Sequence, residues 1–361
     1  MHIPDGYLGP QTYVPAYAVM AGIWAWASRR VGHTLRLRQA PLLALGAAFS
    51  FVIMMFNVPI PGGTTGHAVG AVLIAILLGP WAAVIAVSLA LIVQALLFGD
   101  GGITAIGANC LTMAVIMPLT GWWTYRLLAG RSPAASTRQL LAGAVGGYVG
   151  LNAAALATAV LLGIQPLIAH DAAGRALFCP FGLRIAVPVM ALEHLLLFGF
   201  VEAAVTGMAL AFVQRTDPSL LPAPAPAGRA SIAVRLAIAL GILALLTPLG
   251  LLLPAWLKAG GAWGEWGPGE IARKVAEETG RPGYVPREME RIGGWWKAPL
   301  PNYSFPGLEN APAWQVALAY LACGLIGAAA LVLLALAVEK MLARRRRDDR
   351  ASGMDASASP P

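Results

Sequence analysis

At 361 residues, 58% hydrophobic and 12% charged, the chain carries more apolar surface than a soluble core can hide. Several apolar runs exceed the roughly 18 residues that mark a membrane span. The net charge of +8 would suit a nucleic-acid binder, but the basic residues stand in short clusters between apolar runs, where they orient spans. The sequence predicts an all-α polytopic membrane protein whose surroundings are the lipid bilayer, with no nucleic-acid partner.

The chain opens Met1-His2-Ile3-Pro4-Asp5-Gly6, without the positive leader of a secretory signal. Arg29, Arg30, Arg36 and Arg38 follow the first apolar run rather than precede it, so the N-terminus is expected outside and this cluster in the cytoplasm. Met1 is expected to persist, because His2 is too large for the initiator methionine to be trimmed. A free α-amine on Met1, the amide of His2 and Nδ1 of His2 can close two fused chelate rings on one ion. That set offers three nitrogens, and an imidazole from His67 would complete a tetragonal or square-planar site suited to Ni²⁺, Cu²⁺ or cobalt. The competing reading is a histidine on a frayed terminus. Ligation needs neutral imidazoles and a deprotonated amine, so binding should release protons and weaken in acid, beginning near neutrality for an α-amine of about 7.7 to 8.0. Pro4 restricts Ile3 to extended conformations, which favours a strand-like segment threading into the bundle.

Gln11–Ala27 predicts a first span running inward and Ala40–Phe56 a second running out. The uncharged, Pro- and Gly-rich loop from Asn57 to Gly66 suits the outer side, which puts His2 and His67 on one face. Gly79-Pro80 divides the next apolar stretch into two short spans, His67–Gly79 and Pro80–Phe98. Asp100 with Gly99, Gly101 and Gly102 then forms an outer loop. Ile103–Tyr125 is a fifth span ending at cytoplasmic Arg126, Arg131 and Arg138, and Leu140–Leu162 a sixth, rich in the small residues that let helices approach closely. Gln165–Arg184, with His170, Asp171 and Cys179, reads as an outer loop, and Ile185–Phe212 as a seventh span. That span holds Glu193, His194 and Glu202, the intramembrane polar candidates, because ionisable groups at membrane depth cost at least ~2.5 kcal/mol each. On a straight helix Glu193 and Glu202 fall on opposite faces, so one of them is expected near a terminus or against a neighbouring subunit.

Domain boundaries follow from composition. Residues 1–214 form a seven-span metal-capturing domain, 215–230 a Pro/Ala-rich cytoplasmic linker, 231–345 a two-span module, and 346–361 a disordered cytoplasmic tail. The two-span module contains spans at Leu236–Leu257 and Val316–Val338 around an outer segment, Lys258–Asn310. Trp263, Trp266, Trp295 and Trp296 in that segment read as interfacial anchors, and Ile271–Thr279 as a short amphipathic helix. The basic cluster Arg344–Arg347 places the C-terminus in the cytoplasm.

Cys110, Cys179 and Cys323 are scattered and read as packing residues. His33 and His170 have no partner at ligand spacing, and neither has His194. No H-E-x-x-H or H-x-x-E-H run supports a metallopeptidase, and no G-x-x-x-x-G-K-[ST] supports an ATPase. The chain is expected not to be an enzyme and to need no organic cofactor. Asp5, with Gly6, would tuck the terminus inward; Asn57, Thr64, Thr65 and Asn109 are candidates to hold the histidine ligands.

Several of these stretches in order resemble one family: Met1–Gly6, Pro61–His67, Gln94–Thr104 with Gly107-Ala108-Asn109, and Glu202–Gly207. They are similar to the M-type (CbiM/NikM) substrate-binding component of energy-coupling-factor cobalt/nickel transporters. Lys297–Glu309 is similar to the N-type, PDGLE-like partner often fused to it, with Asn302 where an Asp is common. The resemblance implies a seven-helix S-component-like bundle plus a two-helix C-terminal module in a bacterial-type cytoplasmic membrane. It implies that Met1, His2 and His67 capture Ni²⁺ or Co²⁺ as transported substrate at the outer face. It also implies a transmembrane coupling (T-type/Q-type) subunit and separate ATP-binding subunits. The rival expectation is a stand-alone proton-coupled metal carrier drawing on Glu202.

Overall fold

A computed structural model describes residues 1–34, 40–60, 64–133, 135–216, 238, 240–249, 266–280, 282–308 and 311–357. The chain is mostly helical, as expected. Helices α1 (Pro10–Thr34) and α2 (Ala40–Met54) are followed by a hairpin of β1 (Val58–Ile60) and β2 (Thr64–Gly66), paired antiparallel with Val58 opposite Gly66. Then come α3 (Ala71–Leu78) and α4 (Pro80–Val93), which runs on as a π-helical turn, Gln94–Phe98. Pro80 takes the first turn of α4, where its missing N–H costs nothing.

α5 (Ile106–Asn109), a π turn (Cys110–Ile116) and α6 (Met117–Ala129) form one continuous rod. α7 (Thr137–Gly163), the short α8 (Gln165–Ile168) and α9 (Leu183–Glu193) follow; α9 passes through a third π turn (His194–Phe198) into α10 (Gly199–Thr216). The C-terminal module contributes α11 (Pro268–Thr279), α12 (Arg287–Ile292), a 3₁₀ turn (Pro301–Tyr303) and α13 (Ala313–Ser357).

Among the described residues, five helical stretches are long and apolar enough to cross a membrane: Pro80–Phe98, Ile106–Ala129, Thr137–Ile168, Leu183–Thr216 and Ala313–Ala337. The small residues expected in the sixth span do bring helices together. A Cβ on Gly121 of α6 would lie 2.7 Å from the Gly146 carbonyl of α7, and one on Gly150 would lie 2.8 Å from the Met117 carbonyl.

Several expectations change. α3 has eight residues, a length of about 12 Å, so the third stretch is a half-depth helix rather than a span. His67 precedes that helix by four residues instead of opening it. The tail from 346, expected to be disordered, is helical as far as Ser357, since 339–350 holds Glu, Lys, Met, Leu, Ala, Arg and Asp without a Pro or Gly to stop α13. Trp266 is buried against the Phe181 ring, 6.2 Å between centroids, and packs as a core residue, whereas Trp295 and Trp296 are exposed. The linker at 217–230 and Trp263 lie outside the described residues, as does half of the eighth span, although 240–246 is helical.

Glu193 and Glu202 are both buried inside the chain, against the expectation that one would lie at a terminus or a subunit contact. The π turn between them is the cause. A π turn takes up one extra residue and sets the helical phase back by ~100°, which brings two carboxylates expected ~180° apart toward one side.

The stretch from 266 to 308 lies across the end of the bundle where the chain begins. Leu300 N–H donates to Leu97 O (2.9 Å), Glu288 N–H to Leu177 O (3.0 Å) and Tyr320 Oη–H to Met55 O (2.5 Å). A Cβ on Gly6 would lie 2.8 Å from Met289 Cα, and Gly6 takes a φ of +83°, so only glycine allows this approach.

Candidate metal centre

The N-terminal strand is held in place by backbone and side-chain hydrogen bonds. Asn109 clamps Ile3 from both sides: Oδ1 accepts its N–H at 2.9 Å and Nδ2 donates to its carbonyl at 3.1 Å. Asp5 accepts from the N–H groups of Ile103 (3.0 Å) and Thr104 (2.8 Å) and from the Thr104 hydroxyl (2.5 Å). Gly102 N–H donates to Ile3 O at 2.9 Å, and a Cβ on Gly102 would sit 2.3 Å from the Asp5 nitrogen. The run of glycines beside Asp100 therefore lets one backbone lie directly on another.

Threaded this way, the Met1 amine is buried and donates to Thr65 O at 2.9 Å. The His2 and His67 rings face each other with centroids 4.8 Å apart and planes at 31°. His67 donates Nδ1–H to Ala68 O (3.1 Å), which leaves the Nε2 lone pair free; that atom is buried without a partner. His2 directs Nδ1–H at Asp100 Oδ1, 2.5 Å away, and its Nε2 is likewise buried and unpartnered. The structure thus gathers an amine and two imidazoles whose free lone pairs have no protein donor, the chemistry a cationic metal would satisfy.

One detail differs from the chelate drawn from sequence. Nδ1 of His2, expected on the ion, is occupied by Asp100, so closing the six-membered ring requires the imidazole to leave the carboxylate or turn about its Cβ–Cγ bond. The histidine holder is also a different residue. Asn109 serves Ile3 rather than a histidine, Thr65 contributes its carbonyl to the amine, and Asn57 Oδ1 is buried without a partner. The Thr64 side chain lies outside the described residues.

Asp100 is held in turn from the far end of the sequence. Tyr303 Oη–H donates to Asp100 Oδ2 at 2.6 Å, and Gln94 Nε2 donates to the Tyr303 hydroxyl at 2.8 Å. Tyr303 is buried and stacked on Phe98 (4.7 Å, 18°). Asn302 and Tyr303 both take left-handed backbone angles, φ 52° and 57°, a conformation Asn tolerates and Tyr seldom adopts. Sequence reasoning missed Asp100, Gln94 and Tyr303 as site residues. The one available signal was a carboxylate enclosed by glycines.

Burial and charge set the protonation. Burial lowers the Met1 amine from 8.0 to about 6, with the Asp100 and Glu193 charges opposing the shift. Burial keeps His67 neutral well below its usual range, reinforced by the amine and by His2. Burial would raise Asp100, but the hydrogen bonds from His2 and from the Tyr303 hydroxyl hold it well below the usual carboxylate range. The amine is therefore largely neutral at pH 7, and the acid window expected near neutrality moves down by about two pH units.

Glu202 has a positioning task. It accepts from Val69 N–H (2.8 Å), Gly70 N–H (3.2 Å) and the Thr206 hydroxyl (3.3 Å), pinning the segment between His67 and α3. Glu193 and His194 make no hydrogen bond to either histidine of the centre. His170 is exposed at the rim.

The model of the cobalt uptake substrate-specific transmembrane region, CbiM, matches residues 2–220, and that of the PDGLE domain matches 234–344. The chain belongs to the CbiM family. A PDGLE domain is fused behind its CbiM region. The fused nickel transport protein NikMN of Rhodobacter capsulatus is 46% identical over 339 residues, covering 90% of this chain and 95% of that protein. The probable fused nickel transport protein LarMN of Lactiplantibacillus plantarum is 46% identical over 77% of this chain and 81% of its own length. The cobalt transport protein CbiM of Geobacter sulfurreducens is 32% identical over 61% of each. A crystal structure described as a truncated transition metal transporter is 51% identical, with a TM-score of 0.57 over 60% of this chain and 99% of that one.

Proposed function

We propose that this CbiM-family chain captures a divalent transition-metal ion, nickel or cobalt, at the outer face of a cytoplasmic membrane and passes it inward. In this reading it is the substrate-specific component of an energy-coupling-factor importer, and ATP is hydrolysed by separate subunits docked through a transmembrane coupling partner. The observation that carries the reading is the meeting of the Met1 amine with two imidazoles whose Nε2 atoms are buried and unpartnered. The names of the relatives support nickel or cobalt as substrate. A four-nitrogen set, with the deprotonated His2 amide as its fourth member, favours Ni²⁺ over Co²⁺ by ligand-field preference, while Cu²⁺ would bind it more tightly still. Glu202, the carboxylate a proton-coupled carrier would need, is engaged with backbone N–H groups, which weighs against that alternative.

The test is an insertion of one glycine before Met1, alongside His2→Ala and His67→Ala. Each should abolish Ni²⁺ capture by the purified full chain while leaving it inserted and folded. Uptake at the unmodified level from the extended chain would end the proposal. Sustained uptake into liposomes holding this chain alone would favour the carrier.

A further inference from the structure

Asn57 carries a buried side-chain oxygen, Oδ1, that no protein group hydrogen-bonds. It stands between the end of α2 at Met54 and the start of β1 at Val58. The chain on each side of Asn57 touches the chain on each side of His67. Before it, the Ser50 hydroxyl of α2 donates to Val69 O at 2.8 Å, and a Cβ added to Gly70 would fall 2.3 Å from the Phe49 ring. After it, Val58 pairs with Gly66. Bracketed in this way, Asn57 and His67 are the residues at the open end of the hairpin.

The register of the hairpin sets how they face each other. In an antiparallel ladder hydrogen-bonded and non-hydrogen-bonded pairs alternate, and two opposed side chains leave the sheet on the same face. Pro59 has no N–H to exchange, so its pair with Thr65 is of the non-hydrogen-bonded kind. Thr65 O then points out of the ladder, where the Met1 amine donates to it at 2.9 Å. Carried one pair past Val58 and Gly66, the same register sets Asn57 against His67, again in the non-hydrogen-bonded class, whose Cα atoms lie about 4.5 Å apart and whose side chains approach most closely.

Neither ligand ring has an N–H to give this oxygen. His67 spends Nδ1–H on Ala68 O, and His2 spends its own on Asp100. An oxygen buried without a donor costs free energy until a donor or a cation meets it. A plane of four nitrogens satisfies Ni²⁺, whose ligand field favours the square plane, whereas Co²⁺ has no such preference and accepts a further oxygen donor readily. We propose that Asn57 Oδ1 is a fifth donor that Co²⁺ uses and Ni²⁺ does not, so that Asn57 sets how far the centre discriminates between the two ions. The inference rests on the capture reading and deepens it.

The experiment titrates Co²⁺ alone and Ni²⁺ alone into the full chain in lipid nanodiscs by calorimetry, with the visible absorption of bound Co²⁺ as a second readout. Asn57→Leu keeps the bulk and removes the oxygen without stranding a protein donor, because Oδ1 receives none. Its Co²⁺ affinity should fall by about tenfold or more and its Ni²⁺ affinity stay within about threefold of wild type, with a changed Co²⁺ spectrum. Asn57→Asp keeps an oxygen in place and should hold Co²⁺ at least as tightly as wild type. Equal losses of both ions in a folded Asn57→Leu, or an unchanged Co²⁺ affinity and spectrum, overturn the inference. Should melting temperature show that Asn57→Leu misfolds, Asn57→Asp decides: a Co²⁺-to-Ni²⁺ affinity ratio above wild type supports the fifth donor, and an unchanged ratio overturns it. Undiminished binding of both ions by His67→Ala would refute the capture reading instead, a result distinct from the others.

Discussion

Replacing Tyr303 with Phe removes one oxygen from the far end of the chain and should weaken ion capture at its beginning. The phenyl ring keeps its stack on Phe98 at 4.7 Å, so the packing loss is small. What disappears is a hydrogen bond of 2.6 Å to a buried carboxylate and one of 2.8 Å from Gln94. A hydrogen bond to a charged group contributes about 1.5 to 3 kcal/mol, and Gln94 is left with a buried donor whose remaining contact, Asp100 Oδ2, is 3.5 Å away. Asp100 then holds His2 less firmly. Disturbing the group behind a metal-binding histidine typically costs 10- to 100-fold in affinity, so we expect a loss of about tenfold for Tyr303→Phe and about 100-fold for Asp100→Asn. The assay is calorimetric titration of Ni²⁺ into the full chain in nanodiscs at pH 7.5, with melting temperature as the control for folding. Unchanged affinity in Tyr303→Phe, with a large loss in Asp100→Asn, would show that the C-terminal module contributes nothing to the centre and refute the coupling.

Three further outcomes follow from the same geometry. Because the buried Met1 amine sits at about 6 when folded and 8.0 when exposed, the unfolded chain binds more protons between those values; stability should rise with pH across that window, and a stability that stays flat between pH 6 and 8 would contradict it. Gly66→Ala drives a methyl into Phe198 and should cost about 1 to 3 kcal/mol in a denaturation series, much of it restored when Phe198→Leu is added; strictly additive effects would mean the two residues do not press on each other. Glu202→Ala strips the Val69 and Gly70 N–H groups of their acceptor and should lower the melting temperature and Ni²⁺ affinity together, whereas a stable variant that binds normally but fails to transport would give Glu202 the carrier role instead.

The sequence by itself determined the membrane class, the helix break at Gly79-Pro80, and the convergence of Met1, His2 and His67. These are linear signals: apolar run length, breaker residues, and the parity of crossings that puts two loops on one face. The phase of the long seventh helix was out of its reach, because a π turn carries no composition of its own and yet moves Glu202 by about one residue's rotation. The identity of the residue behind His2 was out of reach too. Asp100 and Tyr303 are 203 positions apart and meet only because the stretch carrying Tyr303 folds back over the end of the bundle that holds the N-terminus. The same burial lowers the Met1 amine below the range of an exposed terminus. Which groups lie near one another along the chain is written in the chain; which polar atom answers which, and in what charge state, depends on desolvation and long-range packing that exist only once the tertiary structure has formed.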